Sequence, residues 1–144
     1  NLKYIIEDES ILHFYESLRS NNKCGATLKH KGYVCLTDMN AQGIDVRILK
    51  EKTPNVNPYS ILQVASTLGL KKILNKYNLK IEQYYHSGSL DSDIIFSVLN
   101  KKNTSKKNKE LIDLLNTQNR RSKFQNFLIN NHLTGYVSYL ITHK

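Results

Sequence analysis

The chain is poor in the residues on which several protein classes depend. It has no Trp, two Pro, two Cys and six Gly. Cys24 and Cys35 are too few for a zinc site built from Cys alone, and no second pair follows, although His30 lies between them. They read as reduced thiols, with no disulfide framework and no bound metal. The glycines are dispersed singly, so no glycine-rich phosphate loop is present. The histidines, His13, His30, His86, His132 and His143, are scattered, and none falls in a metal-ligand spacing. No set of acids, bases and nucleophiles converges, so no catalytic residue and no cofactor is expected, and the chain reads as non-enzymatic. There is no apolar run of membrane-spanning length and no signal peptide. The first residue is Asn1, not Met, which implies a fragment of a longer protein.

What is present is a basic, Asn-, Lys-, Ile-, Leu-, Ser- and Tyr-rich chain, a bias that points to an AT-rich genome. At 144 residues and 40% hydrophobic it can bury a core. The net charge of +9 is uneven. Residues 1–70 carry eight Lys/Arg and seven Asp/Glu, whereas residues 71–144 carry thirteen and five. Such an excess favours a polyanion, nucleic acid above all, over the bland alternative of a surface kept soluble by lysines.

Local patterns predict the elements. Apolar spacing predicts a helix over 9–19 behind the acidic Glu7-Asp8-Glu9, and Ala26 to Leu28 is read as a strand paired with Tyr33 to Leu36. Tyr33 to Leu36 is an apolar strand-former run, and Thr37 and Asp38 are cap residues that end it. Ile44, Val46, Ile48 and Leu49 then alternate with charges. The stretch 28–52 reads as strand, turn, short helix, turn, second helix, the makings of a helix-turn-helix. Pro54 and Pro58 break the chain. Helices follow over 59–68, closed by Gly69, and over 70–77. His86 to Ser89 is a loop and a domain boundary. A helix over 91–100 capped by Ser89, a lysine-rich linker over 101–109, and helices over 110–116 and around Phe124 to Leu128 come next. Val137, Tyr139 and Ile141 alternate like a strand but also fit a helix. The expected fold is α+β, mostly helical: a helix-turn-helix core with a small β-sheet over 1–86, and a basic helical extension over 87–144.

Helix, basic hairpin, Gly32-Tyr33-Val34, Leu36-Thr37-Asp38-Met39, Arg47-Ile48-Leu49-Lys50-Glu51, then Asn57-Pro58-Tyr59 and Val64-Ala65 to Leu68: this order resembles the fungal APSES domain and its viral and phage relative, the KilA-N domain. The resemblance covers roughly residues 9–78. It implies a helix-turn-helix that binds DNA, with Tyr33-Val34 and Thr37 opening the first helix and Arg47 to Glu51 in the second. The family's DNA-reading members carry a glycine-rich wing before the proline, and here only Thr53 to Asn57 stands in that place. Other members look like scaffolds for nuclear proteins.

The expected partner is double-stranded DNA. Lys29, His30 and Lys31 form a basic hairpin tip. Gln42, Arg47, Lys50 and Lys52 belong to the proposed recognition helix, where Arg47 and Lys50 share a face and Asp45 and Glu51 partly neutralise it. Lys101, Lys102, Lys106 and Lys107 in the linker, with Arg120 and Arg121, are placed to hold phosphates. Tyr84 and Tyr85 either stack on a base or close a small core. The reading is a transcription or chromatin-associated protein of the nucleus, or of a viral factory or host cytoplasm. The competing reading is an interaction module whose C-terminal half docks a protein partner or a second copy.

Overall fold

The computed structural model describes residues 4–7, 32–54, 64–101 and 106–144, with the backbone alone for 4–7, 106 and 107. The fold is α+β. Four strands form one sheet, β1 (Tyr4–Glu7), β2 (Tyr33–Met39), β3 (Leu79–Tyr85) and β4 (Tyr136–His143). Their order is β1-β2-β4-β3, with β1 parallel to β2 and the other pairs antiparallel. The described helices are α1 (Ile44–Leu49), continued by a 3₁₀ turn over Lys50–Lys52, α2 (Thr67–Asn75), α3 (Asp91–Leu99), α4 (Lys106–Leu114) and α5 (Gln118–Asn130).

β4 is the organising strand. Val137, Tyr139 and Ile141 alternate onto one face and are buried there with Val34 and Leu36 of β2. α2 covers that face with Leu70 and Leu74, four apart on one helical stripe. Ser66 caps α2, accepting from the Gly69 amide at 3.1 Å. A second core lies among the helices. Leu49 of α1, Ile95 and Leu99 of α3, and Leu115 meet there, with Ile48, Phe96 and Phe124 against them. Burying each such leucine or isoleucine contributes about 1.5–3 kcal/mol.

Several expectations are corrected. Thr37 and Asp38 do not end the strand. They lie within β2, where the Thr37 hydroxyl pairs with the Ser138 hydroxyl of β4 at 2.9 Å. A cap residue with a cross-strand partner has no need of a helix to cap. Between Thr37 and Lys52 there is one helix and a 3₁₀ turn, not two helices. Within the span expected to be a helix over 59–68, Val64 to Ser66 are non-helical, and Gly69 sits inside α2 instead of closing a helix. Ser89 does not cap α3, whose N-cap position is Leu90 without a side-chain bond. The linker read over 101–109 is helical from Lys106. No pattern in the sequence predicts β3. β4 pairs with both β2 and β3, so residues beyond 86 supply an inner strand of the sheet and do not merely extend it. The helix over 9–19, the strand over 26–28 and residues 55–63 lie outside the described residues.

Candidate nucleic-acid interface

Helix α1 is fixed to the fold by its inner side. Its N-cap is Gly43, with no side-chain cap. The tertiary structure supplies the bonds instead: the Ile44 amide donates to the Leu133 carbonyl at 2.8 Å, and the Asn40 amide to the Gly135 carbonyl at 2.7 Å. The approach is close enough to demand glycine on both sides. A Cβ on Gly43 would stand 2.6 Å from the Gly135 Cα, and one on Gly135 would stand 2.6 Å from Asp45 Oδ1 and 2.7 Å from Asp91 Oδ1.

Two buried carboxylates therefore flank Gly135. Asp91 Oδ1 accepts from the Gly135 amide at 2.6 Å, and its Oδ2 accepts from Gln125 Nε2 at 2.7 Å. Gln125 in turn donates to the Gly88 carbonyl and accepts from the Ser92 amide, both at 2.9 Å. Asp45 is 1% exposed, and its Oδ2 accepts from the Thr53 hydroxyl at 3.4 Å. The expectation that Asp45 neutralises the outer face of the helix is corrected, because it lies on the inner face two residues before the exposed Arg47. The Asp91 and Gln125 bonds tie α3, α5 and the turn before β4 into one unit, and the Ile44 amide bond to Leu133 anchors α1 to it.

The outer side carries the cations. Arg47, Lys50 and Lys52 are exposed, as are Gln42 and Glu51. Lys50 ends the helix with φ 52° and ψ −127°. That break removes the helical three-residue spacing expected to put Arg47 and Lys50 on one face. The two lie on one short surface segment, but not on one helical stripe.

The other expected contacts separate. Arg121 is engaged within the fold. Its Nε meets Asp93 Oδ1 at 2.6 Å, it donates to the Leu115 carbonyl at 2.9 Å, and its guanidinium lies 4.7 Å from the centroid of the Phe96 ring. It braces α3 against α5 and is not offered to a phosphate. Arg120 is exposed and donates to the Asp113 carbonyl at 3.1 Å. Lys101 is exposed at the end of α3. The side chains of Lys106 and Lys107 are not described, and Lys29, His30, Lys31 and Lys102 lie outside the described residues.

His86 is buried beside the cluster, with Nδ1 3.1 Å from the Thr134 hydroxyl and its ring 5.0 Å from that of His132. Burial, then the His132 charge, lower its pKa below the ordinary 6.5, and Asp91 opposes them. The pKa of the Tyr139 hydroxyl, which lies 3.1 Å from the Thr67 hydroxyl, is raised by burial. Cys35 is a free, half-buried thiol. Among the described residues no helix is long and apolar enough to cross a membrane, and no three His, Cys, Asp or Glu side chains are grouped to hold a metal.

The Gly135 hub is not visible in the sequence. Asp45, Asp91 and Gly135 are more than forty positions apart along the chain, and the packing of α3 on α5 with the turn before β4 brings them together. Compared with known protein families and with curated proteins, the chain matches none.

Proposed function

We propose that the chain is a DNA-binding domain of a nuclear or viral transcription or chromatin-associated protein. One observation carries this reading. A short helix and turn present Arg47, Lys50 and Lys52 to solvent, while the inner residues Asp45, Leu49 and Thr53 are buried. Cations on a fixed mount lose little freedom when they bind. With Asp45 turned inward, Glu51 is the single acid among the exposed residues from Gln42 to Lys52.

In this mechanism Arg47 enters the major groove, where a guanidinium pairs with a guanine edge, and Lys50 and Lys52 neutralise phosphates. A helix of six residues spans only about 9 Å, so it carries few base contacts and phosphate contacts dominate. The resemblance to the APSES and KilA-N domains adds little to this reading, because Tyr33, Val34 and Thr37, which it would place at the start of a first helix, lie in β2. The short Thr53 to Asn57 segment in place of a wing fits weak sequence preference.

The test is anisotropy of a labelled duplex at a series of salt concentrations. Lys50 and Lys52 together contribute about −1.8 to the slope of log affinity on log salt, and Lys52→Ala reduces its magnitude by about 0.9. An affinity indifferent to salt sinks the proposal. Arg47→Ala should flatten whatever sequence preference exists.

A second reading, the protein-interaction module, draws on exposed apolar side chains of the C-terminal half: Leu114, 53% exposed, and Phe127, 52% exposed. Light scattering that finds a dimer, with no duplex affinity, favours it.

A further inference from the structure

The outer edge of the sheet carries a second basic surface of different chemistry. Among the described residues β3 stands at one end of the strand order. Its last residues, Tyr84 and Tyr85, are 45% and 62% exposed. Tyr84 lies in register with Tyr139 and Tyr85 with Ser138, so the two rings leave the edge on opposite faces. Tyr84 is braced from behind: its centroid is 6.2 Å from that of Tyr139 and 6.3 Å from that of His86. It is a ring held in place with nearly half its surface open.

The helix beside it is basic. α2 carries Lys71 and Lys72, with Lys76 at its end, all exposed, and has no acidic residue. Lys71 Nζ lies 5.9 Å from the Tyr84 ring centroid, at the outer limit of cation–π contact. Between Lys52 and Asp91 the sequence holds four lysines and a single acid, Glu82, which is paired with Lys80 at 2.6 Å. Among the described residues no ion pair engages Lys71, Lys72 or Lys76.

We propose that this edge binds single-stranded nucleic acid, with a base stacked on Tyr84 and the backbone following Lys71 and Lys72. Exposed rings flanked by cations suit splayed bases, because every base has a π-face. A duplex keeps its bases stacked inside and presents nothing to such a ring. This surface uses none of the residues assigned to duplex binding, so the two sites fail or succeed separately.

The experiment is titration of a short labelled oligothymidylate, and of the matching oligouridylate, into the whole chain, with a blunt-ended duplex in parallel. Tyr84→Leu keeps an apolar side chain against Tyr139 but removes the stacking ring, and weakens oligothymidylate binding roughly five- to a hundredfold. Tyr84→Phe retains it. Tyr85→Ser, on the opposite face of the strand, leaves binding as it is, and the Lys71→Ala variant covers the case in which Tyr84→Leu fails to fold. Lys71→Ala lowers the single-strand salt slope by about 0.7. The chain has no Trp, so Tyr84→Trp supplies an isolated fluorophore that a stacked base quenches. Equal loss with both oligomers marks a site indifferent to the sugar, and a stronger loss with one identifies the preferred strand. The proposal is overturned if Tyr84→Leu binds the oligomers as wild type does, or if Tyr85→Ser abolishes binding while Tyr84→Leu does not. It is equally overturned if the indole emission of the Tyr84→Trp variant does not change on adding oligomer, or if Arg47→Ala and Lys52→Ala alone abolish single-strand binding.

Discussion

Replacing Gly135 by alanine tests the buried hub directly. The residue does not have a positive φ, so the substitution adds no backbone strain. What it adds is a methyl group 2.6 Å from Asp45 Oδ1, 2.7 Å from Asp91 Oδ1 and 2.9 Å from Asp45 Cγ. None of these neighbours is the free end of a long side chain. Asp91 is held by the Gly135 amide and by Gln125, and Asp45 lies 1% exposed beneath α1. Overpacking of this kind costs about 1–3 kcal/mol. If the turn shifts to relieve it, the amide-to-carboxylate bond lengthens, and a charged hydrogen bond is worth about 1.5–3 kcal/mol. Alanine also narrows the unfolded ensemble, which returns about 0.4–1 kcal/mol. The two penalties are alternatives more than a sum, so after the unfolded-state term the net loss is about 0.5–2.5 kcal/mol. For a chain of this length that lowers Tm by roughly 2–8 °C. Urea unfolding followed by far-ultraviolet circular dichroism measures it. Asp45→Ala clears two of the three contacts, so in the double variant the alanine at 135 should do less harm than it does alone. A Gly135→Ala protein as stable as the parent, or strict additivity with Asp45→Ala, would show that the close approach does not constrain the fold.

Gly69 supplies the opposite case. It lies inside α2, and an added Cβ would meet only Ser66 Oγ at 3.4 Å. Gly69→Ala should therefore stabilise by about 0.5–1 kcal/mol, read as a higher urea midpoint at unchanged slope. His86 sets a pH limit. Its folded pKa lies below the ordinary 6.5, so the unfolded chain takes up the proton first. Its contribution to stability is full above the ordinary value and is lost as pH falls from there through the lowered one. Tm followed through that window should fall on acidification, and His86→Gln should flatten this limb; an unaltered pH profile in the variant refutes the assignment.

Parts of this fold are legible because local pattern and burial agree. β2 declares itself in Tyr33 to Leu36, and β4 in the alternation of Val137, Tyr139 and Ile141, which the structure resolves in favour of the strand. α3 follows from the spacing of its apolar residues behind Asp91. β3 is not legible. An edge strand has little to bury, and Glu82 through Tyr85 are all exposed, so no two-residue alternation marks it. Thr37 and Ser66 show the same ambiguity from two directions. A hydroxyl that caps a helix in one setting bridges strands in another, and only the neighbour decides. The outward cations of α1 are readable as cations. The inward turn of Asp45 is not, because its surroundings come from residues some ninety positions away. Arg121 is misread for a like reason, since its carboxylate lies on a different helix.

The position of β4 governs how the chain must be assembled. Its contact with β2 spans 101 residues at Thr37 and Ser138. A nascent chain that has emerged only as far as α5 holds β2 and β3 with no strand between them. Each then shows a bare row of amides and carbonyls, the kind of surface that recruits chaperones or sticks to a sister chain. Closure of the sheet waits on one late, long-range zippering event, which makes slow maturation an inherited property of this topology.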